Sequence, residues 1–183
     1  MNYIKNIAYK IFGCDSPTGY SMNINKLLVE LLADIGYEAK ITNKGNVRLF
    51  IEGNDHSKKV ATSAHTDTLG LMVRSINGDG TLAVTNVGGP SIPTLDGEYC
   101  KVITRDNKVY TGTILCNSAS VHVHEDAKSK VRSLENMYVR LDEVIHSKKD
   151  TLELGIQNGD YVCIDTKTII TESGFLKSRF IDD

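Results

Sequence analysis

His65 and Asp67 are the residues whose types and spacing most clearly suggest chemistry. They follow the uncharged run Val60–Ala64, which predicts a buried strand of an α/β sheet. At a strand end, residues i and i+2 point to the same side of the backbone. A neutral imidazole binds divalent metals, and a carboxylate that accepts the ring's second N–H fixes the orientation of the ring. We interpret His65 as a metal ligand and Asp67 as the residue that orients it; the plainer alternative is a hydrogen-bonded surface turn.

Asp182 and Asp183 form a second acidic site, after an apolar segment at the far end of the sequence. A carboxylate can bridge two metal ions about 3.5–4 Å apart, which together hold an attacking water and a substrate carbonyl. Asp182 is therefore a candidate bridging ligand beside His65. A solvated acidic chain end is the alternative.

His122 and His124 are a second pair with metal-binding side chains. Their alternation predicts that both lie on one face of a strand. The pair could bind a metal, or it could belong to a polar sheet face or a contact between subunits. The sequence favours the second interpretation and leaves the first open.

Composition excludes several classes of protein. The formal net charge is −2, from 21 basic and 23 acidic residues without a basic patch, so nucleic acid is not an expected partner. No apolar run approaches the length of a membrane span, and the start of the chain does not resemble a signal peptide. The four cysteines are far apart and form no C-x-x-C pair, which is typical of a reduced, cytoplasmic protein.

The beginning of the chain has helical periodicity. Apolar residues recur at helical spacing over residues 2–12 and again over residues 21–36. Residues 37–42 and 47–51 then favour two strands joined by a tight turn that contains Gly45. This order predicts the first part of an α/β domain.

The character of the sequence changes after His65 and Asp67. From about residue 71, short β-like runs alternate with turn signals, interrupted by one helix near residues 148–155 that Ser147 could cap. Many short strands of this kind predict a small barrel-like domain. We expect an α/β domain formed by residues 1–70 and 161–183, interrupted by an inserted β-barrel-like domain at residues 71–160.

The sequence resembles the glutamyl and tetrahedral aminopeptidases, a family of dinuclear metallopeptidases of which some members have been named endoglucanases. The matching segments occur in the same order and cover nearly the whole chain. They are Ser16–Tyr20, Lys44–Asn46, Ala64–Val73, Leu154–Asp160 and Arg179–Asp183.

The resemblance implies a partial α/β peptidase domain with the inserted β domain. His65 would match a terminal metal ligand, Asp182 the bridging carboxylate, and Asp67 the catalytic-site carboxylate beside the metal-binding histidine. Members use two divalent ions, zinc or cobalt, to release N-terminal residues from peptide substrates. Many form hollow homo-oligomers through contacts of the inserted domain.

The resemblance also implies that the general-base glutamate and several ligands lie downstream of the Asp182–Asp183 pair. A tetrahedral zinc site needs about four ligands, so the chain is expected to be an N-terminal fragment that is inactive alone. A β-domain assembly or peptide-binding module with a vestigial metal site is the alternative. A carbohydrate hydrolase would need two carboxylates about 5–9.5 Å apart beside a sugar groove, and nothing in the sequence marks such a pair.

Overall fold

A computed structural model describes residues 3–181. The chain divides into two compact units. The first consists of Met1–Thr68 and Thr166–Asp183, and the second of Leu69–Asp165.

The first unit contains two helices and two short antiparallel hairpins, and both expected helices and the first hairpin are confirmed. None of the helices in the described range is long and apolar enough to cross a membrane. The elements are α1 (Tyr3–Phe12), α2 (Met22–Ala33), β1 (Lys40–Ile41) paired with β2 (Val47–Arg48), and β9 (Ile169–Ile170) paired with β10 (Leu176–Lys177).

Side-chain hydrogen bonds to backbone connect these elements. The amide of Asn25, a buried residue of α2, donates to the carbonyl of Gly45 at 2.7 Å and ties the helix to the hairpin turn. Gly45 has a φ of +80°, a conformation that favours glycine. The Thr168 hydroxyl donates to the carbonyl of Phe12 at 2.9 Å, so the returning segment is tied to the end of α1.

The prediction of a buried strand at residues 60–64 is wrong. The structure shows no strand there, and Val60 is 92% exposed. An apolar run becomes a strand only when neighbouring strands satisfy its backbone groups. Among the described residues no strand pairs with this run. The local sequence pattern indicates that the run is apolar, but it does not indicate which strands would pair with it.

The second unit is a closed barrel of six antiparallel strands, in the order β3-β4-β7-β6-β5-β8 with β8 pairing back to β3. Closure leaves no exposed strand edge. The strands are β3 (Gly70–Ile76), β4 (Leu82–Val87), β5 (Tyr99–Ile103), β6 (Val109–Cys116), β7 (Met137–Leu141) and β8 (Tyr161–Ile164), with a 3₁₀ turn at Ile92–Leu95.

The barrel interior is built by alternate residues of each strand. Leu82 and Val84 of β4 and Val139 of β7 are fully buried, while the residues between them are more exposed. Gly112 lets β6 approach β7 closely, because a Cβ there would lie 2.7 Å from the carbonyl oxygen of Arg140. The expectation of many short strands that form a barrel-like domain is confirmed for this part of the chain.

A short helix, α3 (Lys148–Glu153), packs against the β3–β4 hairpin. Ser147 caps its N-terminus, as the sequence predicted. The structure adds a full capping box: the Ser147 hydroxyl accepts from the N–H of Asp150, whose carboxylate accepts from the N–H of Ser147. The buried Thr151 hydroxyl donates to the carbonyl of Gly80 at 2.8 Å. The helix is therefore anchored to the hairpin by polar contacts as well as by packing.

Candidate metal centre

His65 and Asp67 lie together on an exposed segment of the first unit. The Nδ1 atom of His65 is 3.1 Å from the backbone oxygen of Asp67 and 3.4 Å from the carboxylate atom Oδ1. The His65 side chain is 53% exposed and that of Asp67 is 39% exposed. The two side chains thus meet at a surface that a metal ion or substrate could reach.

The surroundings of Nδ1 decide which nitrogen of His65 could bind a metal. Both atoms of Asp67 that face Nδ1 are acceptors. In a neutral ring they favour the tautomer with a proton on Nδ1, which leaves the lone pair on Nε2. Of the two acceptors, the backbone oxygen is within ordinary hydrogen-bond range, and the carboxylate at 3.4 Å is slightly beyond it.

Residues 16–18 hold the segment that carries His65 and Asp67 in place. Pro17 forms a parallel bridge with Thr68, and the Ser16 hydroxyl donates to the carbonyl of Thr66 at 2.9 Å. The Thr18 hydroxyl donates to the Asp67 carboxylate at 2.7 Å. These contacts were not predicted from the sequence, although two hydroxyl residues flanking a proline were a visible signal of a turn that could donate hydrogen bonds.

Asp182, the candidate bridging ligand, and its neighbour Asp183 lie outside the described residues. Within residues 3–181 no group of three or more His, Cys, Asp or Glu residues could hold a metal ion. His65 fits the role of one ligand, with an oriented ring and an exposed side chain. The described residues alone do not complete a metal site.

The prediction that His122 and His124 share one face of a strand is wrong. They lie in a turn-rich segment between β6 and β7, where the N–H groups of Val123 and His124 bond to the carbonyl of Ser120. Turn signals around Ser120 and Asp126 outweigh the short alternation, because backbone N–H groups that bond locally do not pair with another strand. The chemical role of the two histidines stays open.

A family model described as M42 glutamyl aminopeptidase matches residues 45–183. The Bacillus subtilis protein YhfE, provisionally named an aminopeptidase, is 44% identical over 168 residues, which cover 92% of this chain and 49% of that relative.

Two solved structures share the fold. Aminopeptidase APDkam598 of the archaeon Desulfurococcus kamchatkensis has a TM-score of 0.79 and 28% identity, over 91% of this chain and 44% of that one. The TET1 peptidase of Pyrococcus horikoshii has a TM-score of 0.76 and 21% identity, over 92% of this chain and 48% of that one. The chain thus spans about half the length of the proteins it matches. With the family match over residues 45–183, it belongs to the M42 glutamyl aminopeptidase family.

Proposed function

We propose that this chain is the N-terminal part of a metal-dependent aminopeptidase that removes N-terminal residues from peptides. In this proposal the first unit belongs to an α/β peptidase domain and the barrel is an insertion. The observation that carries the proposal is the contact of Nδ1 of His65 with Asp67 in a chain of this family. That contact is the arrangement of a histidine ligand and its orienting partner.

His65 would bind a metal through Nε2, and Asp182 would supply a carboxylate that bridges two ions. The first assignment rests on the geometry of the imidazole, and the second on the resemblance to the family. A pair of zinc or cobalt ions would, when bound, polarise the peptide carbonyl and activate a water. The part played by this chain's residues is to hold the imidazole and the carboxylate in place.

The proposal includes residues beyond those of this chain. His65 with Asp182 gives too few ligands for two closed sites. The first unit also exposes large apolar side chains, among them Phe50 (64%), Val60 (92%) and Phe175 (71%). In this proposal, residues outside this chain cover these side chains. We therefore expect residues 1–183 alone to have no aminopeptidase turnover.

The barrel is proposed as an assembly domain. A solved relative, the TET1 peptidase of Pyrococcus horikoshii, can assemble into a tetrahedron or a large octahedral shell. A closed barrel has no free strand edge to use for pairing, so contacts between subunits would be made by its loops and outer faces. We propose a homo-oligomer of the intact enzyme on this basis.

A second candidate function is a β-domain module for assembly or peptide binding, with a vestigial metal site. The observation that favours it is that the barrel is complete within residues 69–165, whereas residues 3–181 do not complete a metal site. This reading predicts that the chain binds peptide or itself and that loss of the His65 imidazole has no effect on any function.

Zinc binding to the 183-residue chain tests the metal assignment. The ring signals of His65, identified in an NMR spectrum by their loss in His65→Ala, should shift on addition of zinc. His56→Ala removes another exposed imidazole and should leave that shift unchanged. Zinc that binds to the chain and leaves the His65 ring unperturbed would refute the assignment of this residue as a ligand.

Peptidase activity tests the rest of the proposal. The open reading frame that contains these residues should, when expressed whole, release N-terminal residues from peptides and lose this activity with a chelator. The same protein with His65→Ala should lose at least about a hundred-fold in kcat/KM, because a metal ligand is removed. Turnover by residues 1–183 alone would show that the proposed incompleteness is wrong.

A further inference from the structure

We propose that Thr18 is a positioning residue for the candidate ligand His65, and that it acts through the carboxylate of Asp67. Thr18 precedes Asp67 of the His-x-Asp motif by almost fifty positions in the sequence. The part of the inference that concerns metal affinity rests on the proposed function. The part that concerns the ring of His65 does not require a metal.

The two oxygens of the Asp67 carboxylate have different neighbours. The Thr18 hydroxyl donates to Oδ2 at 2.7 Å, while Oδ1 lies 3.4 Å from Nδ1 of His65. A carboxylate on an exposed segment is otherwise able to rotate about its side-chain bonds. A short hydrogen bond to one oxygen restricts that rotation and keeps the other oxygen towards the imidazole.

The backbone fixes the position of Thr18 itself. Its N–H donates to the carbonyl of Thr68 at 3.1 Å, and the N–H of Thr68 donates to the carbonyl of Ser16 at 2.8 Å. Pro17 lies at the centre of this parallel bridge, where its missing N–H is not needed. The backbone of Thr18 is therefore held rigidly, and removal of the side-chain hydroxyl leaves both backbone hydrogen bonds intact.

Ser16 and Thr18 have separate roles. Ser16 is 1% exposed, and its hydroxyl donates to the backbone carbonyl of Thr66, so it holds the course of the chain. The Thr18 hydroxyl instead bonds to a side chain that faces His65. A residue that only stabilised the segment would not change the chemistry of the imidazole, whereas the Thr18 hydroxyl should.

The expected consequence is a change in the proton position on the ring. With Oδ1 held near Nδ1, the neutral ring of His65 carries its proton on Nδ1 and its lone pair on Nε2. When the carboxylate rotates away, it no longer favours this tautomer, although the backbone oxygen of Asp67 stays 3.1 Å from Nδ1. The population of the other tautomer, with its lone pair on Nδ1, should then rise.

The test uses the 183-residue chain and ¹⁵N spectra of the histidine rings at about pH 8, where an ordinary imidazole is neutral. The parent should show His65 mainly with its proton on Nδ1. Thr18→Val keeps the shape of the side chain without its hydroxyl and should move the ring nitrogen shifts towards a mixture of tautomers. Thr18→Ser restores a hydroxyl and should return the shifts to the parent values.

Zinc affinity at the His65 ring is the second readout, and Thr42→Val is the matched control. The Thr42 hydroxyl accepts from the N–H of Asn46 in the hairpin of the same unit and has no contact with His65. Thr18→Val should weaken zinc binding by about ten-fold, at the low end of the effect of removing an outer-sphere partner. Thr42→Val should leave both the zinc affinity and the ring shifts unchanged.

The outcomes separate this inference from the proposed function. Ring shifts in Thr18→Val that equal those of Thr42→Val would overturn the positioning role, even if zinc still binds at His65. Zinc that binds to the parent and leaves the His65 ring unperturbed would refute the metal assignment alone. The tautomer change in Thr18→Val, reversed in Thr18→Ser, would still support the positioning role.

Discussion

Single residues of this chain show how a local environment changes the chemistry of a side chain. The sequence marks His65 as a candidate metal ligand because its type and its spacing to Asp67 are local features. It does not mark Thr18, because the hydrogen bond of Thr18 to Asp67 depends on a parallel bridge between segments that are distant along the chain. Asp160 was also not predicted to be buried, although it is 2% exposed. Turn residues of its type are usually solvated.

Asp160 should make the stability of the barrel fall as the pH rises. Burial raises the pKa of its carboxyl above 3.8, against the opposing effects of the Gln157 N–H and of Arg105. Because the folded-state pKa is the higher one, this contribution to stability is fully present below the unfolded pKa and is lost as the pH rises through the folded pKa. In Asp160→Asn, the free energy of unfolding relative to the parent should therefore increase with pH above about 4.

Urea unfolding at a series of pH values measures this difference in the free energy of unfolding. Asp79→Asn is the control, because the pH dependence of its difference from the parent should have the opposite sign. The Thr81 hydroxyl, and then the Thr81 N–H, lower the pKa of the Asp79 carboxyl. That contribution is present above the unfolded pKa and is lost as the pH falls through the folded pKa. Parallel pH profiles for Asp160→Asn and the parent would contradict the prediction.

At the scale of elements, the sequence predicted what is decided within a few residues. The periodicity of α2, the turn at Gly45 and the N-cap at Ser147 are short-range features, and the structure contains all three. The prediction of a strand at residues 60–64 is wrong because a strand needs neighbouring strands, and the local sequence pattern does not indicate which segments would pair with it. The strand order of the barrel was not predicted either, since non-local pairing leaves little trace in composition.

Gly80 should be essential for the packing of α3 on the β3–β4 hairpin. Its φ is +88°, and a Cβ there would lie 2.8 Å from the carbonyl oxygen of Ser147 and 2.9 Å from the hydroxyl of Thr151. Gly80→Ala should destabilise the protein by about 2–4 kcal/mol, from backbone strain together with overpacking. The shift in the urea unfolding midpoint measures this loss.

Gly78→Ala in the same hairpin is the matched control. No atom lies within 4 Å of a Cβ at that position, and its φ is not in the left-handed region. Its unfolding free energy should change by less than about 1 kcal/mol in either direction. Equal losses in the two variants would mean that contact with α3 is not the reason that residue 80 is a glycine.

At the scale of the whole molecule, the two units have different degrees of completeness. The barrel has a closed sheet and a continuous interior, whereas α1 has no buried residue. The hydrophobic pattern of the sequence changes near residue 70, and the expectation of two domains depends on this change. The pattern could not reveal how much of the first unit's apolar surface would stay exposed, since burial depends on what packs against it.

The two units should therefore unfold separately in the 183-residue chain. Ile24 of α2 and Leu82 of β4 are both fully buried, one in each unit, and truncation of such a side chain to alanine costs about 2–5 kcal/mol. Ile24→Ala should speed hydrogen exchange in α2 and leave the barrel strands protected. Leu82→Ala should have the converse effect, and mass spectrometry of exchanged peptides measures both. Equal acceleration throughout the chain in either variant would contradict this expectation.

The pairing of β3 with β8 has a consequence for how the chain folds during translation. Leu71 and Val162 are register partners, so the closed barrel holds the two ends of the intervening segment side by side. The first unit cannot form completely until Thr166 and the residues after it have been synthesised. A flexible segment between its two parts would make it entropically costly to bring them together. A barrel that folds as soon as β8 emerges removes most of this cost. The folded barrel would thus keep the two segments of the first unit close together while the chain is being synthesised.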